Sequence, residues 1–186
     1  VPGSRLLLRS INFEDDAAKD AVLHMLVKGG LDIDRVVLCE PAAGVDFFKS
    51  YDEIDLILDT YPFNGGTTTC FALYMGVPVV SLAGKGLTSR MGKSALANMG
   101  ISWCCADTED EYVDRAVQIA HDVDFLRRFR ADARSIFCKS ALGDARRFSA
   151  EYEHALIEML NVRGASSSSG AGDGVAPLPA NEIMRR

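Results

Sequence analysis

The chain has 186 residues, 48% of them hydrophobic, and a formal net charge of −6. Its length fits one domain with a buried core. The negative charge argues against nucleic acid as a main partner, because phosphate contacts need clustered Lys and Arg. No apolar run approaches the roughly 20 residues of a membrane-spanning helix, so we expect neither a nucleic acid nor a membrane as partner.

Strands alternate with helices over the first hundred or so residues. Apolar runs without alternation predict buried parallel strands, and apolar residues at helical spacing predict the helices between them. The predicted strands are residues 5–9, 36–39, 54–58, 78–82 and 101–105, and the predicted helices are residues 15–28, 46–51 and 91–99 with one more after residue 66. This alternation predicts an α/β fold, a parallel Rossmann-like sheet with helices on both faces.

After residue 106 the pattern becomes entirely helical. Thr108, followed by Glu111, has the form of a capping box, and further helices are predicted over residues 125–139 and from Phe148 onward. We interpret the apolar stripes of these C-terminal helices, including Phe129, Phe148, Tyr152, Leu156 and Met159, as core packing. From Gly164 the chain is rich in Ser and Gly. We therefore predict one domain at residues 1–162 and a disordered tail at residues 163–186.

Cysteine and histidine give no sign of a metal site. The five cysteines are Cys39, Cys70, Cys104, Cys105 and Cys138. They are scattered and lack a CxxC pattern, so we interpret them as buried free thiols rather than zinc ligands. The histidines lack metal-ligand spacing as well. Free thiols indicate a reducing compartment, the cytosol or the nucleus.

The most informative stretch is Leu56–Gly76, which predicts a strand, a glycine turn and a helix. The strand ends at Asp59, and Gly65-Gly66 lets the backbone turn sharply and a ligand approach closely. Thr67 is predicted as the helix N-cap. The free N–H groups and the dipole of a helix start favour an anion such as a diphosphate. The segment is neither a Walker loop nor a GxGxxG fingerprint, and an ordinary strand-to-helix connection is the alternative interpretation.

Three runs carry a family resemblance. They are DTYPFNGGTTTC at residues 59–70, GVPVVSLAG at residues 76–84 and SRMG at residues 89–92. Together they resemble the O-GlcNAc transferase and spindly-type protein glycosyltransferases, and the similarity extends in pattern from about Pro2 to Leu160. The resemblance implies a GT-B architecture, in which this segment belongs to the second of two Rossmann-like domains.

The same resemblance implies a binding site for a nucleotide sugar, UDP-GlcNAc or a similar donor, without a metal cofactor. The implied nucleotide-sugar-binding residues are Gly65, Gly66, Thr67, Thr68 and Thr69, with backbone contacts from Ala42. Ser89 and Arg90 would support the nucleotide side, Arg90 by facing phosphate or by tying its loop to the sheet. Asp59 would either orient ligand hydroxyls or form the turn. The acceptor protein would bind through domains upstream of this chain.

Two features depart from the family pattern. An acidic residue that contacts the ribose is expected one turn into the helix, but this chain has Phe71 there. The segment Pro41–Phe48 lacks the expected Lys and His. By the same resemblance we expect the first strand and helix of the domain to be missing from this chain. No candidate general base is found, so the catalytic residues stay unassigned.

We therefore hold two main hypotheses. The chain is either the donor-binding half of a protein O-glycosyltransferase acting on Ser or Thr, inactive by itself, or a decayed, non-catalytic transferase-like domain that binds a protein partner. A generic phosphate-binding α/β domain is a third interpretation, disfavoured by the length of the resemblance.

Overall fold

The computed structural model describes residues 1–167, which divide into one unit over Val1–Gly143 and a second that begins at Asp144. The strands of the first unit are Leu6–Arg9 (β1), Val36–Cys39 (β2), Ile57–Leu58 (β3), Val79–Leu82 (β4) and Cys105–Ala106 (β5). Its α-helices are Asp16–Lys28 (α1), Gly44–Lys49 (α2), Thr67–Tyr74 (α3), Met91–Asn98 (α4), Glu109–His121 (α5) and Val123–Lys139 (α6).

All strand pairings are parallel, which confirms the predicted α/β class. β1 pairs with β2, with Leu6 opposite Val36. β4 lies between β3 and β5, with Ile57 opposite Val79 and Ser81 opposite Cys105. The strands form two hydrogen-bonded groups, β1–β2 and β3–β4–β5, and no strand pairing among residues 1–167 joins them.

The core of the first unit surrounds β4. Every residue of β4 is buried, and the surrounding helices contribute the buried side chains of Leu73, Leu96, Ile119 and Phe129. The stripe of α6 packs in the core at Phe129 and Ala133, as predicted, but on α5 only Ile119 is buried, and Val113 and Val117 of its predicted stripe are exposed. The carboxyl ends of β3 and β4 emerge from this core and lead into the glycine turn and the loop before α4.

Tertiary contacts shorten two of the predicted strands. The strand predicted at residues 54–58 starts only at Ile57. Ile54 instead ends a 3-10 turn, where its N–H donates to Tyr51 and its carbonyl accepts from the guanidinium of Arg130. The strand predicted at residues 101–105 begins with a 3-10 turn over Ser102–Cys104. Both deviations arise where a long-range partner or a tight turn occupies backbone groups that a strand needs.

Of two predictions about side chains, the structure confirms one and corrects the other. Thr108 caps α5, since its Oγ1 accepts a hydrogen bond from Glu111 N at 3.2 Å. All five cysteines are free, but only Cys104 and Cys105 are fully buried, and Cys138 is exposed, which corrects the expectation of uniformly buried thiols. Across the described residues, no helix combines the length and apolarity needed to cross a bilayer.

The second unit consists of one described helix, Ala145–Ser167 (α7). Its apolar residues Phe148, Tyr152, Leu156 and Met159 are exposed. The prediction that they pack in a core was wrong for this helix, because a single helix has no second apolar face in its own unit to bury them. α7 continues past residue 163, where the tail was predicted to begin, and residues 168–186 of that tail lie outside the described part.

Candidate functional site

The Gly65 peptide is held at both ends. Its N–H donates to Asp59 Oδ1 at 2.7 Å, and its carbonyl accepts from Thr69 Oγ1 at 2.9 Å. A Cβ at this position would lie 2.5 Å from Thr69 Oγ1 and 2.8 Å from Thr68 Oγ1. A side chain at this position would have to displace two threonine hydroxyls, which favours glycine in the turn that precedes α3.

The start of α3 presents unpaired backbone donors. Gly66, not Thr67, occupies the N-cap position, and no side chain caps the helix. The predicted Thr67 cap was wrong because Thr67 already lies in the first helical turn. Within residues 1–167, the N–H groups of Thr67 and Thr68 have no acceptor, and both residues are exposed. Such a helix start favours a bound anion.

Thr69 and Asp59 are buried, and their side chains form hydrogen bonds within the protein. Thr69 is 3% exposed and its hydroxyl bonds to Gly65. Asp59 is 7% exposed, and its second carboxylate oxygen accepts from Ser81 Oγ at 2.7 Å. Burial raises the pKa of Asp59, while the bonds from Ser81 and the Gly65 backbone counteract this rise. Of the two roles left open for Asp59, the geometry favours shaping the turn over binding ligand hydroxyls.

Sequence reasoning missed Asn64 as a structural anchor of the turn. Asn64 is fully buried, its Nδ2 donates to the carbonyl of Thr60 at 2.8 Å, and its backbone N–H donates to Thr88 at 3.1 Å. These bonds tie the turn to itself and to the loop before α4. An asparagine next to Gly-Gly is a local turn signal, but only the fold shows that it reaches Thr88.

Two concave surfaces lie beside the turn, and the predicted site residues are distributed between them. The smaller has a volume of about 150 Å³, and Asp59, Gly65, Thr68 and Thr69 help to line it. The larger, a cleft of about 720 Å³, is lined in part by Ser89 and Arg90. Ala42, Gly66 and Thr67 line neither concavity. The larger cleft therefore does not coincide with the position expected for a diphosphate, although Tyr61 of the same turn contributes to it.

The larger cleft carries positive charge. Lys85 and Arg90 are exposed and form no ion pair within the described residues, whereas Lys93 pairs with Asp107 at 3.1 Å. Ser89 is buried and its backbone carbonyl accepts from Gly84 N at 2.8 Å, which fixes the loop that presents the cations. Three cations against one carboxylate favour an anionic ligand beside the glycine turn.

Aromatic packing occupies the place of the expected polar nucleoside contacts. The ring of Phe71 lies edge-to-face against Phe47 at 5.8 Å and Phe48 at 5.3 Å between centroids. This contact joins α2, which begins two residues after Ala42, to α3. Phe71 offers no acceptor for a ribose hydroxyl. The described residues contain no cluster of three or more His, Cys, Asp or Glu side chains suited to a metal ion.

The sequence and fold match known glycosyltransferases. The model of glycosyl transferase family 41 matches residues 1–152. A Petunia hybrida protein described as "Probable UDP-N-acetylglucosamine--peptide N-acetylglucosaminyltransferase SPINDLY" is 38% identical over 154 residues, which are 82% of this chain and 16% of that protein. The UDP-N-acetylglucosamine--peptide N-acetylglucosaminyltransferase of Caenorhabditis elegans is 31% identical over 86% of this chain and 14% of its own length.

A solved structure extends the match to the fold. A mutant of the Thermobaculum terrenum O-GlcNAc transferase superposes with a TM-score of 0.81 and 32% identity, over 89% of this chain and 32% of that one. This match confirms the GT-B glycosyltransferase fold class. The chain spans only about a sixth of the length of its curated SPINDLY relatives. By sequence and by fold, it belongs to glycosyl transferase family 41.

Proposed function

We propose that this chain is the donor-binding part of a protein O-glycosyltransferase that uses UDP-GlcNAc or a similar nucleotide sugar and modifies Ser or Thr. The observation that carries the proposal is the uncapped start of α3, where Thr67 and Thr68 are exposed residues and their N–H groups have no acceptor within the described residues. The names of the SPINDLY and O-GlcNAc transferase relatives support the choice of donor and acceptor.

The helix start would act on the leaving group. When a glycosyl bond to a nucleoside diphosphate breaks, negative charge grows on the diphosphate. Fixed N–H donors and the positive end of the helix dipole stabilise that charge without reorganising during the reaction. Lys85 and Arg90, in the adjoining cleft, add positive potential on the same side. Gly65, Gly66 and Thr68 would hold the diphosphate, and the backbone near Ala42 the nucleoside.

One domain forms only one wall of a GT-B cleft, so the acceptor and a general base would come from other parts of a longer protein. The small share of each relative that this chain covers supports this division. We expect the isolated chain to be inactive in transfer, since the acceptor is not positioned. The free thiols are compatible with action in the cytosol or nucleus.

The alternative is a decayed domain that keeps the fold and binds a protein. The packing of Phe71 against Phe47 and Phe48 favours it, because these rings fill the place where a nucleoside partner was expected. Phe48 and Val45 are also exposed, so α2 presents apolar rather than polar surface there.

Titration with UDP separates these two functions. We expect the melting temperature of the 186-residue chain to rise with UDP, with a stabilisation of about 2.7 kcal/mol at a concentration 100 times Kd. Uridine, which lacks the diphosphate, is the matched control and should stabilise far less. A flat response to millimolar UDP, together with a response gained by Phe71→Glu, would favour the decayed domain.

Activity requires the rest of the protein. We expect sugar transfer to a Ser/Thr peptide when this chain replaces the corresponding segment of a SPINDLY relative. Chimeras that fold cooperatively yet transfer no sugar would contradict the catalytic part of the proposal. The same chimera with Phe71→Glu controls for loss of donor binding as the cause.

A further inference from the structure

The carboxylate of Asp59 connects the glycine turn to the core. Oδ1 accepts from Gly65 N–H and Oδ2 accepts from Ser81 Oγ, both at 2.7 Å. Ser81 is fully buried on β4. Each oxygen therefore has one short, directed hydrogen bond, and the carboxylate links the most buried strand of the unit to the peptide that leads into α3.

The surroundings of Asp59 prevent the carboxylate from turning. A Cβ at Gly92 would lie 2.5 Å from Asp59 Oδ2 and 2.1 Å from Ser81 Oγ, so α4 approaches as closely as glycine allows. Tyr112 of α5 donates its hydroxyl to the backbone carbonyl of Asp59 at 2.9 Å. Elements distant in sequence thus enclose this residue, and its side chain faces Gly65 rather than solvent.

Burying the Asp59 carboxylate lowers the stability of the folded state, so stability by itself does not explain this arrangement. Among the described residues no cation pairs with Asp59, and burying an unpaired carboxylate is unfavourable. A carboxylate so close to a helix start would also repel a bound anion. What it provides in return is a charge-assisted bond to Gly65, which is stronger than a neutral one.

We propose that Asp59 is a positioning residue for the anion site at the start of α3. Anchored by Ser81, it fixes the Gly65 peptide and thereby the direction of the Thr67 and Thr68 N–H groups. It does not itself contact the ligand. The inference rests on the proposed function, because an anion must bind there for the positioning to matter.

Binding of inorganic pyrophosphate to variants of the 186-residue chain tests this role. Asp59→Ala should weaken binding about tenfold, the factor that corresponds to losing one charge-assisted hydrogen bond. Asp59→Asn should stay within about threefold of the wild type, since its Oδ1 still accepts from Gly65. Leu96→Ala, a core truncation outside the turn, is the control and should lower the melting temperature without changing Kd.

The Gly65 amide resonance supplies a readout that needs no ligand. We expect its proton shift to move in Asp59→Ala and in Ser81→Ala, and to stay at the wild-type position in Leu96→Ala. If Asp59→Ala does not fold, Ser81→Ala carries the test, and we expect weaker pyrophosphate binding because the carboxylate loses its anchor.

The outcomes separate this inference from the proposed function. Wild-type binding that neither Asp59→Ala nor Ser81→Ala weakens would overturn the positioning role alone. An unchanged Gly65 resonance in both variants would do the same. No binding of pyrophosphate or UDP by the wild type would overturn the proposed function and the positioning role together.

Discussion

The two ends of the first unit are packed very differently. Around β4 every strand residue is buried, and α3 and α4 contribute fully buried Leu73 and Leu96. In the β1–α1–β2 region both strands are only half-buried, and α1 has no fully buried residue. The first region has neighbours on both sides of its central strand, whereas β1 and β2 pair only with each other.

The two regions are proposed to bind different parts of the donor, the diphosphate and the nucleoside. The residues proposed to hold the diphosphate lie on the well-packed region, where side chains and hydrogen bonds fix their positions. Ala42, proposed to face the nucleoside, follows β2 in the loosely packed region. The turn proposed to bind the anion is therefore held in place by buried contacts, whereas the segment proposed to face the nucleoside follows a strand that is only half-buried.

Truncating one apolar side chain in each region should show the largest difference in stability between the two regions. Leu73→Ala removes a fully buried side chain, and we expect a loss of about 2–5 kcal/mol in the free energy of unfolding. Met25→Ala, on α1 and 62% exposed, should change it by less than about 0.5 kcal/mol. Urea denaturation of both variants measures the contrast, and equal losses would contradict it.

Two glycines with similar backbone angles, one in each region, separate the effect of packing on stability from the effect of the backbone angle. Gly76 has φ +82°, and a Cβ added there would lie 2.9 Å from the Arg130 backbone, whereas Gly30 has φ +87° and open space around it. Alanine at Gly30 should cost about 1–2 kcal/mol from the backbone angle alone. Alanine at Gly76 should cost at least about 1 kcal/mol more, because it also clashes. Thermal melts with comparable losses would indicate that packing near Gly76 can relax.

A single hydroxyl probes the contact of α5 with the turn. Tyr112→Phe removes the bond to the Asp59 carbonyl and should cost about 0.5–1.5 kcal/mol. Ser4→Ala is the control in the N-terminal region. It removes an exposed hydroxyl that donates to the Val1 carbonyl and accepts from Arg35, and it should cost less because water can replace both bonds. Chemical denaturation distinguishes them, and a larger loss for Ser4→Ala would reverse the proposed difference in packing.

The smallest expected effect is a pH dependence. Because burial raises the pKa of Asp59 above its usual 3.8, the folded state holds this proton more tightly than the unfolded state. The stability that this provides is complete below pH 3.8 and is lost as the pH rises through the folded pKa. We expect the free energy of unfolding of the wild type, relative to Asp59→Asn, to fall over that range.

Urea denaturation of both proteins from acidic to neutral pH measures this difference. Tyr112 and Cys105 also face Asp59, but burial raises the pKa of Tyr112 to about 12 and raises the pKa of Cys105 further from the acidic range. Neither group therefore titrates where Asp59 does. A relative stability that rises with pH would contradict the assignment of a raised pKa.

Local sequence determined the parallel α/β class, the positions of β2 and β4, the cap at Thr108 and, through the glycine–threonine segment, the family. These features depend on apolar runs, on hydrogen bonds between residues a few positions apart, or on a contiguous motif. Only the tertiary structure decided that Gly66 occupies the N-cap position of α3, that Arg130 donates to the carbonyl of Ile54, and that α7 leaves its apolar residues exposed. It also decided the hydrogen-bond partner of Asp59, since Ser81 lies 22 residues away and reaches the carboxylate only after β3 and β4 pair. Residue patterns encode which groups need partners, but the choice of partner depends on which distant elements the fold brings within hydrogen-bonding distance.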